Sequence, residues 1–101
     1  MKHYIIGDED AVLGFGMVGV HGAVAQNPDE AERAFRTALE DSEVGIVIIT
    51  ERVAELIRPA IDRYMFTVNF PLIVEIPDRL GPVSGRLGIR ELARIAIGIK
   101  L

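Results

Sequence analysis

Apolar stretches alternate with amphipathic ones along this chain, a pattern that predicts repeated strand–helix units around a parallel sheet. Four apolar stretches are predicted strands: residues 2–7, 18–25, 44–49 and 71–77. The third is apolar on both faces, as expected in the middle of a parallel sheet with helices on each side. Prolines bracket the fourth, which favours a position near the sheet edge, where a lost backbone donor costs less.

The clearest helix start lies at Asn27, a good N-cap residue, followed by Pro28 at the first helical position and Glu30 three residues after the cap. Apolar residues then recur at spacings of three and four, which predicts one stripe facing a core. The stripe consists of Ala31, Ala34, Phe35, Ala38 and Leu39. We expect this helix to end near Ser42.

Other helical segments are predicted from similar signals. Thr50 is a suitable cap for the next helix, whose apolar positions keep one helical phase through Pro59. Pro59 should therefore kink or interrupt that segment without ending it. Residues 10–15 are predicted to form a short helical turn, and the last helix is expected to begin at Ile89 and run to about Ile97.

Together these elements predict an α/β fold of the doubly wound type. Its four-stranded parallel sheet has helices on both faces and a C-terminal helix follows; the order 2-1-3-4 is chosen by analogy with other doubly wound folds. We expect one domain overall. It comprises an α/β body at 1–77, a flexible loop at 78–88 that holds four glycines and prolines, and a C-terminal helix and tail at 89–101.

Composition narrows the function classes. The chain has 101 residues and no cysteine, so disulfides and thiolate chemistry are excluded. No apolar run approaches the roughly 20 residues that span a bilayer, and the start lacks a signal peptide, so we expect a cytoplasmic protein without membrane insertion. The net charge of −4 argues against nucleic acid as a partner.

Charge is distributed unevenly between the two parts of the chain. Residues 1–43 carry nine acidic and three basic side chains, a net charge of −6, and residues 44–101 carry six acidic and eight basic ones, a net charge of +2. Arg86, Arg90 and Arg94 lie four apart and predict a basic stripe along and just before the last helix. The stripe suits an acidic protein partner or is simply a solvated face, and both interpretations stay open.

A G-x-G-x-x-G match at residues 14–19 suggests a dinucleotide or phosphate cradle when taken alone. That mechanism needs the glycines to follow a strand directly and to open a helix. Here the first strand ends at Gly7 and a strand-like run follows Gly19, so a turn with close backbone packing is the preferred interpretation.

Other candidate chemistry is weak. Asp8, Glu9 and Asp10 follow the first strand and suit Mg²⁺ in a receiver-like domain, but the required acceptor Asp after the third strand and a later Lys are missing. His3 and His21 form a metal site only if they meet across neighbouring strands. We therefore expect no catalytic residue, no cofactor and no metal site.

Five segments, taken in order, resemble the F subunit of V/A-type rotary ATPases. They are Ile5-Ile6-Gly7-Asp8, the run from Gly14-Phe15 through Met17 to Gly19-Val20, Gly45-Ile46-Val47-Ile48-Ile49-Thr50-Glu51, Pro71-Leu72-Ile73-Val74-Glu75-Ile76-Pro77 and Ile97-Gly98-Ile99-Lys100-Leu101. The match covers nearly the whole chain. The family usually carries Arg after Gly-Phe, and this chain departs from the family there, since it has Gly16.

The resemblance implies a non-catalytic rotor subunit of a proton- or sodium-translocating ATPase, on the cytoplasmic side and peripheral to the membrane. It implies binding to the long coiled-coil D subunit, with the catalytic head as a transient partner of a regulatory C-terminal helix. The loop at 78–88 is a candidate hinge for that helix. The competing hypotheses are a receiver-like or nucleotide-binding switch domain and a structural scaffold.

An interface of this kind needs apolar anchors and orienting charges. We expect Phe15, Met17 and Val18 on the first loop, and Arg90, Arg94 and Ile97 on the last helix, to contact the partners. The apolar groups would anchor the interface, and the arginines would orient against carboxylates.

Overall fold

The computed structural model describes residues 1–67, 70–78 and 80–81, and these contain four strands and four helices, with two consecutive helices between the third and fourth strands. In chain order the elements are β1 (Lys2–Gly7), α1 (Glu9–Gly16), β2 (His21–Val24), α2 (Pro28–Glu40), β3 (Val44–Thr50), α3 (Glu51–Leu56), α4 (Arg58–Thr67) and β4 (Leu72–Ile76).

All neighbouring strands pair in parallel, in the order β2-β1-β3-β4. The predicted order 2-1-3-4 is therefore confirmed. The apolar strand β3 lies between β1 and β4, and the proline-bracketed β4 is an edge strand, as its sequence indicated. Because parallel strands end at one edge of a sheet, the segments that follow β1 and β3 begin side by side.

The main core lies between one face of the sheet and the helices α2, α3 and α4. Ile6, Val47 and Ile49 supply the central sheet positions. The helices contribute small and branched residues that are buried in the same cluster: Ala31, Ala34, Phe35, Ala38, Val53, Ala54, Ile57 and Ile61. Small alanines let α2 approach the sheet closely, and the ring of Phe35 meets Tyr64 edge-on at a centroid distance of 5.6 Å.

The opposite face of the sheet carries α1. Side chains alternate along a strand, so Ile5 and Gly7 point away from the face that holds Ile6. A Cβ atom built on Gly7 would lie 3.1 Å from the Cβ of Ala11 in α1 and 2.8 Å from the Cγ2 of Thr50. The missing side chain at Gly7 thus lets α1 pack directly against the sheet, and helices cover both faces as predicted.

Local signals set the element boundaries. The Asn27 side chain accepts a hydrogen bond of 2.9 Å from the Glu30 amide, which confirms the predicted start of α2. Thr50 caps α3, with its hydroxyl oxygen 3.4 Å from the Val53 amide nitrogen. The helical segment that follows is interrupted at Ile57, so that Pro59 lies in the first turn of α4, where its missing N–H leaves no bond unmade.

Two predicted boundaries were wrong. The first helical segment is longer than the expected turn at 10–15, and β2 begins at His21 instead of residue 18. The predicted helix and tail at 89–101, and the loop at 78–88 except Asp78, Leu80 and Gly81, lie outside the described residues. Among the described helices none is long and apolar enough to cross a bilayer.

Candidate interaction surface

The first helix begins and ends with well-formed caps. At its start the Asp8 carboxylate accepts a 2.9 Å hydrogen bond from the Ala11 amide. At its end the Val20 amide donates to the Phe15 carbonyl at 3.0 Å, and the Gly19 amide donates to the Gly16 carbonyl at 3.1 Å. This pair of bonds is a Schellman motif, which ends a helix with a glycine in the left-handed region.

Gly19 has a φ of +89°, which explains why glycine stands at this position. The Schellman motif holds the chain at residues 17–20 in a tight turn, and this is why β2 starts three residues later than the sequence pattern suggested. The apolar run that looked like the start of a strand is therefore the end of a helix.

The tight helix end leaves large apolar side chains in solvent. Leu13, Met17 and Val18 are 68%, 81% and 77% exposed, respectively. Phe15 is half-buried beside them, and a shallow cavity of about 260 Å³ lies between Asp10, Ala11, Gly14, Phe15 and Val18. We call Leu13, Phe15, Met17 and Val18 the α1 surface. Exposed apolar side chains that form one patch are typical of interaction sites.

Of the predicted contacts on the first loop, Phe15 and Val18 line this cavity together, and Met17 is exposed next to Val18 in the chain. The other three, Arg90, Arg94 and Ile97, lie outside the described residues. Sequence reasoning missed Leu13, one helical turn before Met17. Leu13 and Met17 are four positions apart, and this spacing was the available signal. It puts the two residues on one face when α1 extends through Gly16.

The glycines at 14–19 have the opposite geometry to a phosphate cradle. Gly14 and Gly16 lie in the last turns of α1, and Gly19 lies in the turn that ends it. A phosphate cradle presents free amides at the positive N-terminal end of a helix. Here the nearby amides of Gly19 and Val20 are already bonded to helix carbonyls.

The acidic residues after β1 are part of the helix start. Asp8 is the N-cap of α1, and Glu9 and Asp10 lie in its first turn, where negative charge is favourable. Within the described part of the chain, no group of three or more His, Asp or Glu residues is placed to hold a metal ion.

The two histidines lie on opposite faces of the sheet. His21 is the register partner of Tyr4, so their side chains share one face, and the neighbouring His3 points to the other. Both histidines nevertheless line one cavity at the start of these strands.

Gly16 faces open space among the described residues, because beyond its chain neighbours and its own helix backbone none of their heavy atoms lies within 4 Å of a Cβ built on it. A longer side chain at this position would extend from the end of α1 next to the α1 surface without displacing the fold. The glycine is therefore not required by packing inside the chain.

A second group of exposed apolar residues lies at the end of α4 and the start of β4. Met65, Phe66, Phe70 and Leu72 are 53%, 90%, 59% and 56% exposed. No sequence signal singled out this group. It offers a comparison for the α1 surface, because Met65 is an exposed methionine on a different helix.

Comparison with known proteins identifies related chains. The family model described as "ATP synthase (F/14-kDa) subunit" matches residues 4–92. The F subunit of the A-type ATP synthase of Pyrococcus furiosus is 38% identical, covering 100% of this chain and 98% of its own length. Its counterpart in Thermococcus kodakarensis is 39% identical at the same coverage. The counterpart in Methanothermobacter thermautotrophicus is 35% identical over 96% of this chain and 92% of its own length.

Proposed function

This chain belongs to the family of ATP synthase F/14-kDa subunits, and on that premise we propose that it is a non-catalytic central-stalk subunit of a V/A-type rotary ATPase. Its partner in the stalk is the coiled-coil D subunit. The protein works on the cytoplasmic side, peripheral to the membrane, and takes part in ion transport only through the complex.

The exposed α1 surface is the observation that supports this proposal most directly. The Schellman turn holds the Met17 and Val18 side chains out of the body, where an apolar stripe on a long helix of the D subunit can cover them. Burial of an exposed Met or Val side chain gives roughly 1.5–3 kcal/mol each, before the cost of association. A stable interface of this type needs more than about 1,000 Å², so contacts beyond the α1 surface take part.

The rigidity of the body fits a rotor subunit. Its core is formed by buried residues from the sheet and three helices, and α1 is capped at both ends. A subunit that transmits torque needs its contact side chains fixed relative to the core, since a mobile loop would absorb the motion. The α1 surface meets that requirement through its two capping motifs.

Regulation of ATP hydrolysis by the C-terminal helix is part of the same proposal. Arg90, Arg94 and Ile97 would contact the stalk or, transiently, the catalytic head. The support is the sequence pattern and the family membership alone.

Co-expression with the coiled-coil stalk subunit tests the proposal. We expect a 1:1 complex that stays together in size-exclusion chromatography with light scattering. Absence of a complex, combined with saturable nucleotide binding at micromolar concentration or with acyl-phosphate formation, would favour a switch domain instead. Absence of all three would leave a structural scaffold.

A further inference from the structure

The segment after β4 begins with a closed turn. The Gly81 amide donates to the Asp78 carbonyl at 2.9 Å, and the Leu80 amide donates to the Asp78 carboxylate at 2.9 Å. Gly81 has a φ of +90°, a conformation that glycine adopts without strain. The chain therefore continues from β4 into a defined turn that ends at Gly81.

Arg52 on α3 holds both ends of this turn. Its Nε donates to the Asp78 carboxylate at 2.8 Å, and its Nη2 lies 3.4 Å from the Gly81 carbonyl oxygen. The Asp78 side chain is only 4% exposed, so the ion pair is shielded from water on the carboxylate side. Charge-assisted bonds to a buried carboxylate are stronger than exposed ones.

The helix that carries Arg52 is itself fixed to the core. Thr50, its N-cap, is 1% exposed at the end of β3, and Val53 and Ala54 are buried. Arg52 therefore has a rigid base, and the turn is linked through it to the central strand of the sheet.

We propose that Arg52, Asp78 and Gly81 form a clamp that holds the turn after β4 closed and so fixes the point from which the proposed C-terminal regulatory segment continues. The regulatory meaning of the clamp rests on the proposed function, in which the C-terminal segment regulates ATP hydrolysis. Because the clamp fixes the turn from Asp78 to Gly81, these residues no longer belong to the hinge expected at 78–88. Arg52 is a positioning residue in this proposal.

Residue-resolved hydrogen exchange of the full-length chain, measured by NMR, tests the clamp. Arg52→Gln should speed exchange of the Leu80 and Gly81 amides by roughly tenfold, because exchange follows the population of the open turn. Amides of β3 should keep their protection. Arg33→Gln, which removes another arginine from the exposed part of α2, should change neither set.

Unchanged exchange at Leu80 and Gly81 in Arg52→Gln, with β3 still protected, would overturn the proposal. If Arg52→Gln also loses protection in β3, then Arg52→Lys decides. Arg52→Lys keeps the positive charge but removes the forked guanidinium group. The proposal predicts that this variant exchanges faster at the Leu80 and Gly81 amides while β3 stays protected. Unchanged exchange at these two amides would overturn it. The assay uses the chain alone, so its result is independent of binding to the stalk subunit.

Discussion

Arg58 donates two hydrogen bonds to the Glu75 carboxylate, each 2.7 Å long, one from each terminal nitrogen of its guanidinium group. The pair joins the first residue of α4 to the edge strand β4, and both side chains are largely buried, at 18% and 16% exposure. Glu55 adds a third bond at 2.9 Å. The hydrogen bonds that Arg58 donates to Glu75 raise the pKa of Arg58, so the guanidinium stays charged at every accessible pH.

Loss of this pair should destabilise the fold measurably. We predict that Arg58→Met lowers the free energy of unfolding by about 2–3 kcal/mol, because a largely buried carboxylate loses two charge-assisted bonds. Chemical denaturation at neutral pH measures this change. Arg36→Met is the matched control: Arg36 also pairs with a carboxylate, that of Glu32 at 2.6 Å, but both partners are more than half exposed.

The control should shift stability by no more than about 0.5 kcal/mol, as exposed pairs do. Equal losses in Arg58→Met and Arg36→Met would show that burial of the Arg58–Glu75 pair adds nothing, and that β4 is held by its backbone bonds and apolar contacts alone.

Gly22 on β2 has no room for a side chain. A Cβ atom built there would collide with the Ile5 carbonyl oxygen and with the Ile5 side chain on the neighbouring strand. We predict that Gly22→Ala destabilises the fold by about 2–4 kcal/mol, because backbone must move to relieve the overlap. Thermal unfolding followed by circular dichroism measures the effect.

Gly14→Ala makes the same chemical change where there is space. Among the described residues outside its own stretch of helix, no atom lies within 4 Å of a Cβ built on Gly14, and the residue is inside α1. We expect stability to stay unchanged or to rise by up to about 1 kcal/mol, since alanine favours the helix. A loss in Gly14→Ala as large as that in Gly22→Ala would contradict the assigned packing.

The Lys2–Asp41 ion pair should give a pH-dependent contribution to stability. Its 2.9 Å hydrogen bond lowers the pKa of Asp41 below 3.8 and raises the pKa of Lys2 above 10.5. The pair therefore stabilises the fold between those values. Its contribution disappears as pH falls through the lowered Asp41 value or rises through the raised Lys2 value.

We predict that Lys2→Gln lowers the melting temperature slightly at neutral pH and low salt, and that the difference from the natural chain shrinks as acid protonates Asp41. Added salt should reduce the difference, since the pair is exposed. A difference that persists unchanged at low pH would mean that Lys2 acts through packing and not through charge.

Much of the fold followed from local sequence signals. Asn27-Pro28 predicted the start of α2 because the cap, the fixed φ of proline and the helix dipole act within one turn. The apolar strand at 44–49 predicted a central position because only a strand covered on both faces tolerates that pattern. Both signals are properties of neighbouring residues.

The end of α1 was harder to predict. Gly14 and Gly16 are poor helix formers, and sequence reasoning placed them in a turn. They stay helical because the Asp8 cap starts the helix, Ala11 packs against Gly7, and the Schellman bonds around Gly19 end it. Tertiary packing outweighs local propensity here, and the position of β2 and the exposure of Leu13 depend on it.

Pairs distant in sequence could not be predicted. Arg58 and Glu75 are 17 positions apart, and Arg52 and Asp78 are 26 apart. Each pair forms only after β4 has joined the sheet. The candidate contacts Met17 and Val18 were predicted from their apolar character, and the structure shows both exposed, but what covers them depends on a second chain.

The most direct test of the central claim is the affinity for the coiled-coil stalk subunit, measured by calorimetry for two charge-introducing variants. Met17→Glu alters the α1 surface, and Met65→Glu makes the same change at an exposed methionine on α4. We predict that Met17→Glu weakens binding at least roughly tenfold and that Met65→Glu leaves it unchanged. Equal affinity in the natural chain and in Met17→Glu would contradict binding through the α1 surface.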